Sequence, residues 1–366
     1  MADDPCLDHP VTLAFRGDWG QANMHRICGW IAQEIGDRSP RGSDFAIWSG
    51  RGGSDQIAAL REGRADIAVV TPAAAVPLLN AGDLSALGVI GQRDRLVVAV
   101  DADLPVATVA DLAAVPGGVT VATSPDDGVN LIGLAAHKAL RLAGVNPDRL
   151  SFRYDERPFP AIGWFADGEA DVLIHEAIMT PHWQRIAAKR PVRYLPWGDD
   201  VLAAFAAEGW PSATVEAGYL PGLTEDLRTL DFSDFVLLCR PDLADDVAYL
   251  AGWCMVKTRR ALEVQYAHLP QDHSPVTYPL VPADMARTPV PLHPAAARAY
   301  ADTGDAPVDA IIAPDESPDH AWVADNAAFF AEALPGRDAP LGSPGGAGPA
   351  GPAAADTPLV ASWAKA

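Results

Sequence analysis

Apolar positions along the chain fall into two alternating periods. Val11-Thr-Leu-Ala-Phe15 is a continuous apolar run of strand length that breaks at Gly17-Asp-Trp-Gly20. Met24, Ile27, Cys28, Ile31 and Ile35 follow at helical spacing. Phe45-Ala-Ile-Trp48 predicts a second strand that runs into Ser49-Gly-Arg-Gly-Gly-Ser54, with Ser54 the expected N-cap of a helix carrying Ile57, Leu60 and Arg61. Asp66-Ile-Ala-Val-Val70 predicts the next strand, and the alternation continues through residues 96–100, 119–123, 129–143 and 171–174. Strand and helix in turn predict an α/β protein of parallel βαβ units with helices on both sheet faces. Phe235-Val-Leu-Leu-Cys239 reads as a further strand, and residues 243–262 as one helix with Val247, Leu250, Ala251, Cys254 and Leu262 on one side.

One segment echoes another. Ile57-Ala-Ala-Leu-Arg-Glu-Gly-Arg-Ala-Asp-Ile-Ala-Val-Val70 is matched by Ile162-Gly-Trp-Phe-Ala-Asp-Gly-Glu-Ala-Asp-Val-Leu-Ile174. Both read helix, G-x-A-D, then strand, with Gly63 and Gly168 suited to the left-handed turn that ends a helix. Two similar lobes account for the echo. The expected division is residues 11–95 with 240–333 in the first lobe and 96–239 in the second. The Pro/Gly/Ala-rich stretch at residues 334–366 is expected to be a flexible tail.

Charge narrows the partners. The chain holds 48 acidic and 27 basic residues, a formal net charge of -21. It therefore lacks the cationic surface that binds a phosphate backbone, and no nucleic acid is expected as a partner. No apolar run reaches the roughly 18 residues needed to cross a bilayer, so no membrane insertion is expected. The opening residues have neither the basic region nor the apolar run of a signal peptide, which places the chain as written in the cytoplasm, or outside it if this is a trimmed mature form. Cys6, Cys28, Cys239 and Cys254 form no C-x-x-C pair and are expected to be reduced structural thiols.

The order of these elements resembles the TAXI family of TRAP-transporter solute-binding proteins over roughly residues 11–305. The matching pieces are the loop Gly17 to Gly20, the turn Gly52-Gly53-Ser54, Glu62-Gly-x-Ala-Asp-Ile-Ala68, and Asp111-Leu ahead of the strand at 119–123. The most specific piece is Leu292-His-Pro-Ala-Ala-Ala-Arg-Ala-Tyr-Ala-Asp-Thr-Gly304. The resemblance implies a two-lobed, type II periplasmic-binding-protein-like fold. It also implies an interlobe cleft for an organic acid or amino-acid-like ligand, and membrane transporter subunits as partners. Open sheets of this kind bind ligands beyond the carboxyl ends of their strands, where helix N-termini favour anions. The chain departs from the family pattern at Asp18 and Trp19, and at Ser124-Pro-Asp-Asp-Gly-Val-Asn130, whose two carboxylates satisfy the helix dipole themselves.

Position nominates Asp18, Trp19, Gly53, Ser54, Thr71, Ser124, Asp126, Asp127, Asn130, His175 and Glu176 as ligand contacts. His293 with Pro294 is expected to start a helix. Trp48, Trp164 and Trp183 are either aromatic walls of the cleft or core, with Trp164 assigned to the core by its helical apolar face. Nothing in the motifs demands a cofactor. The candidate is a divalent metal on His175, His182 and Asp126, although the spacing is not H-E-x-x-H. No G-x-S-x-G elbow, Walker loop or dinucleotide G-x-G-x-x-G is present. Two functions stay open. One is a solute-binding protein; the other is a cytoplasmic enzyme on the same scaffold, of lyase or decarboxylase type, with His175 and Glu176 as its acid–base pair.

Overall fold

The computed structural model describes residues 4–18, 23–155, 159–177, 180–270, 274–304 and 359–360. The chain first lays down β1 (Thr12–Asp18), α1 (Asn23–Gly36), β2 (Asp44–Gly50), α2 (Gly53–Arg61), β3 (Ile67–Val70) and β4 (Ser85–Ile90). It then crosses to β5 (Arg95–Asp101), β6 (Thr120–Thr123), α3 (Leu131–Leu142), β7 (Ser151–Tyr154), α4 (Phe159–Ala166) and β8 (Val172–Glu176). There follow α5 (Thr180–Lys189), β9 (Val192–Leu195), α6 (Asp199–Ala207), β10 (Ser212–Val215) and β11 (Leu227–Asp231). The return consists of β12 (Phe235–Cys239), α7 (Asp245–Lys257), α8 (Arg259–Val264), α9 (Pro282–Met285), α10 (Pro294–Thr303) and a two-residue β13 (Leu359–Val360).

Two sheets result, each the centre of one lobe, as the alternating pattern predicts. The first runs β13-β2-β1-β3-β12-β4, and the second β10-β11-β5-β8-β6-β7 with β9 also on β5. The sheets are mixed where parallel ones were expected. β1 pairs β2 and β3 in parallel, and β6 pairs β7 and β8 in parallel, but β12 and β5, the strands that enter each sheet from the other lobe, run antiparallel to their neighbours. A strand arriving from the opposite lobe enters from the crevice end, and so runs the other way.

This corrects the expected boundary at 239. Phe235–Cys239 sits between β3 and β4, so the chain is back in the first sheet before residue 240. The expected tail at 334–366 falls outside the described residues except for Leu359–Val360, which pair with Ile47 and Ala46 on the outer edge of β2. The helix read over 243–262 is two helices, α7 and α8, divided at Thr258, whose hydroxyl donates to Cys254 O and accepts the Trp30 indole N–H.

The repeated helix-to-strand segment has one structural job in both lobes. Gly63 and Gly168 take φ of +68° and +76°. The Asp66 N–H donates to Ala14 O at 2.7 Å, and the Asp66 carboxylate accepts the Ala14 N–H at 2.8 Å. Asp171 repeats both bonds with Thr120, each at 2.8 Å. Each aspartate thus stitches the start of one strand to its neighbour, β3 to β1 and β8 to β6, satisfying edge groups that would otherwise be buried unpaired.

Alternation within the strands gives each sheet two packed faces. Leu13 and Phe15 of β1 join all five predicted apolar residues of α1, together with α7 and α10, in one core. The other face of the first sheet buries Ile57 and Leu60 of α2 against Ala68 and Val70 of β3. Two crossovers, residues 91–94 and 232–234, join the lobes and are bonded to one another. The Gln92 N–H donates to Asp234 Oδ1 at 2.9 Å, and the Phe232 N–H to Asp94 O at 3.1 Å.

Candidate functional site

The carboxyl ends of β1 and β2 open into glycine. A Cβ on Gly50 would stand 2.9 Å from Gly17 O and 3.1 Å from the Gln56 side chain, and a Cβ on Gly17 would stand 2.9 Å from His25 Cα. Bare backbone at these strand ends is what lets Gln56 and His25 press against them. Gln56 is 0% exposed, and among the described residues neither of its amide atoms has a hydrogen-bond partner. His25 Nδ1 and Arg16 Nε are likewise buried without a partner among those residues, and burial holds the His25 imidazole below its usual pKa. Arg16 spends its Nη2 on Asp55 Oδ2 at 2.6 Å, and the same oxygen accepts the Arg51 N–H at 2.8 Å.

The expected N-cap at Ser54 is corrected to Gly52. Its φ of +113° is open to glycine, and the helix begins at Gly53 with Ser54 inside its first turn. That geometry brings the turn onto the second lobe. The Cβ position of Gly52 lies 3.6 Å from Val129 O, and that of Gly53 only 2.6 Å from Leu131 Cδ1. Arg51 closes the contact with an ion pair to Asp127 at 3.1 Å. The turns at Gly52–Ser54 and at residues 124–130 therefore converge.

Several nominated ligand contacts are occupied elsewhere. Asp127 Oδ1 accepts the Val129 and Asn130 N–H groups, and Asn130 Oδ1 caps α3 by accepting from Ile132 at 2.9 Å and Gly133 at 3.4 Å. Asp126 turns to Arg141 at 3.3 Å. In the structure Asp127 and Asn130 serve turn and helix-cap chemistry and Asp126 an ion pair. Thr71 is corrected from the crevice to the crossover. Its hydroxyl donates to Asp234 O at 3.1 Å and accepts the Gln92 amide at 2.9 Å. Asp18 ends β1 opposite Gly50; its side chain, and Trp19 altogether, lie outside the described residues. Ser124 is 1% exposed, and its hydroxyl has no partner among them.

At the end of β8, His175 is buried with Nδ1 3.3 Å from Glu176 O, an oxygen that also accepts the Trp183 indole N–H at 3.1 Å. Burial pushes the half-buried Glu176 carboxyl up to about 7, into the range where a carboxylic acid can donate or take a proton. His182 goes the other way, to about 4. Burial lowers it first, then the charges of Arg185 and His175, and an Arg185 Nη2 atom lies 2.9 Å from its Nδ1. The metal set His175, His182 and Asp126 does not assemble, since Asp126 is held at Arg141. The ligand atoms that do gather within 4.8 Å among the described residues belong to exposed Asp8, His9 and Asp246. Trp183 is core, Trp164 stacks under Arg153 at 4.5 Å, and His293 caps α10 by accepting the Ala295 N–H at 3.2 Å.

Both arginines at the crevice are thus ion-paired with aspartate through Nη2, while the buried groups there without partners among the described residues are Nε of Arg16 and of Arg51, the Gln56 amide, His25 Nδ1 and the Ser124 hydroxyl. Arg16, His25, Gln56 and Arg51 were not nominated from sequence. Arg16 carried a signal, a charge directly after the apolar run Leu13–Phe15 of a strand.

A model of the NMT1-like family matches residues 45–304. The chain belongs to the NMT1-like family. The match takes in α2, the whole second sheet and the helices that return to the first. Solved structures of similar shape include the alkanesulfonate-binding protein SsuA of Xanthomonas axonopodis pv. citri bound to MOPS, at 16% identity over 74% of this chain and 87% of that one, TM-score 0.41. SsuA of Escherichia coli shares 18% identity over 88% and 93%, TM-score 0.39. A TctC solute-binding protein from Polaromonas shares 14% over 80% and 96%, TM-score 0.44. With overlaps this partial, membership rests on the family match. Among curated proteins, ferredoxins of Mycobacterium tuberculosis and Mycobacterium bovis are 59% identical over 56 residues, 15% of this chain and 49% of theirs. The chain spans about half the length of these relatives. The four cysteines of this chain are free, three of them buried and Cys6 exposed.

Proposed function

We propose that this NMT1-like protein binds a small polar molecule between its two lobes, in the manner of a solute-binding protein. The observation that carries the reading is the meeting of the Gly52–Ser54 turn with residues 127–131 beside buried polar groups without partners on both sides. Burying an amide or hydroxyl unpaired costs free energy, and a bound molecule offering complementary donors and acceptors would recover it. Arg16 and Arg51 are each ion-paired through Nη2 yet keep a buried Nε–H without a partner among the described residues, so a polar ligand that brings acceptor oxygens together with donors, as a zwitterionic, amino-acid-like molecule does, suits the site. In the finer form of the reading the protein is of TAXI type and works outside the cytoplasm with membrane transporter subunits that sense lobe closure. The late segment around His293 supports that form.

The test is a melting-temperature screen against small polar molecules, followed by recovery of any hit. The expected result is stabilisation by a ligand that is recovered unchanged. A hit that is consumed would favour the second reading, an enzyme using Glu176 with its near-neutral pKa as acid–base and His175 beside it. In that case Glu176→Gln would stop turnover in a protein that melts no lower than the parent, and His175→Ala would stop it in a protein that still unfolds cooperatively.

A further inference from the structure

A small pocket adjoins the meeting of the turns at the seam of the two lobes, on the far side of Leu79 and Leu131 from Gly53. Ala75 and Leu79 reach it from the first lobe; Leu131, Leu134, Phe205 and Trp210 line it from the second. Its volume is about 160 Å³. Leu79 packs against the cores of both lobes, and Ala75, although carried by the first, is wholly buried in the core of the second. The pocket therefore exists only while the lobes are together.

The lining is mostly apolar, and its polar groups are already paired with one another or with backbone. The Trp210 indole N–H donates to Asp231 O at 2.6 Å, and Lys138 and Glu208 at the rim form an ion pair, with the ammonium 5.2 Å from the centre of the Phe205 ring. A guest bringing a charge or a hydrogen-bonding group would have to break the Lys138–Glu208 pair to satisfy it. The space is also too narrow for a helix, roughly 10 Å across with its side chains. Apolar cavities of about 150 Å³ stay dry and accept a benzene ring.

We propose that this pocket is a second binding site, for an uncharged apolar group the size of a six-membered ring, and that its occupancy ties the two lobes together. Contacts from both sides are made in the closed arrangement alone, so a guest with no affinity for separated lobes shifts the population toward closure.

The experiment is a benzene titration of the full chain, followed by melting temperature and by nuclear Overhauser effects from benzene to the Leu131 and Leu134 methyls. The expected result is saturable stabilisation with those effects present. Leu134→Phe and Ala75→Val, which fill the pocket from opposite lobes, should each weaken benzene binding about tenfold. Benzoate should bind at least about tenfold more weakly than benzene. Arg51→Asp alters no lining residue but sets two carboxylates against each other across the seam, and it should weaken benzene binding by about threefold or more. Absence of the Overhauser effects in the parent chain overturns the site even if neither filled variant folds. Benzoate binding as tightly as benzene overturns the assigned guest, and unchanged affinity in Arg51→Asp overturns the link to closure.

Discussion

The two turns that meet across the crevice, one after β2 and the other after β6, the counterpart of β1, are built on opposite plans. The turn after β2 is rich in glycine, with Gly50, Gly52 and Gly53 giving bare backbone, and the nearby Gln56 amide and His25 Nδ1 are left without partners among the described residues. The turn after β6 is rich in carboxylate and amide, and nearly all of that capacity is used within the turn. Asp127 closes it, Asn130 caps α3, and Asp126 pairs with Arg141. Polar residues near a binding crevice are therefore poor markers of ligand contact when a helix begins beside them. The turn with the fewest functional groups keeps the most unspent hydrogen-bonding capacity around it.

The largest effect expected from disturbing this contrast is at Gly133, in the first turn of α3. A Cβ there would stand 1.9 Å from Pro125 O, backbone against backbone. Gly133→Ala should cost about 3 kcal/mol or more in urea unfolding. Gly163→Ala in α4, where nothing lies within 4 Å, should instead stabilise by about 0.5–1 kcal/mol.

Next is the pH dependence of Glu176, on the second lobe's side of the crevice. Its folded carboxyl lies at about 7 against an ordinary 4.5, because burial disfavours the charged form. Its contribution to stability is complete below the ordinary value and is lost as the pH rises through about 7. Between pH 5 and 8 the parent should lose about 2 kcal/mol that Glu176→Gln retains, measured by unfolding across that range.

Asn130→Ala removes the α3 cap and should cost about 1 kcal/mol, while Ser54→Ala, inside its helix, should cost far less. The smallest effect belongs to Arg51→Ala. Its ion pair with Asp127 joins side chains 41% and 28% exposed, so the loss should stay below about 1 kcal/mol and fade further in high salt.

What the sequence disclosed follows the range of the forces involved. Strands and helices with strong apolar periods, such as β1 and α1, were legible because burial of one face is a local pattern. The G-x-A-D echo was legible because each copy is one helix end and one strand start, although the bond from Asp66 to Ala14 spans 52 residues and was not. Ser54 was preferred over Gly52 as a cap by side-chain chemistry, but the turn needed the positive φ more than the hydroxyl. Thr71 looked like a crevice residue from its place after β3; only the fold brings Gln92 and Asp234 to it. Gln56 was missed because a polar residue on a short helix ordinarily faces water, and the glycine that lets it lie buried, Gly50, ends the strand before that helix.

The most direct trial of binding between the lobes is native mass spectrometry of the full chain against a library of small polar molecules, run beside Gly53→Leu. That side chain would collide with Leu131, whose Cδ1 lies 2.6 Å from the Cβ position of residue 53, and hold the turns apart. A one-to-one adduct on the parent chain, lost or greatly reduced in Gly53→Leu, is the predicted outcome. Equal adducts on both proteins, or none on either, would contradict it.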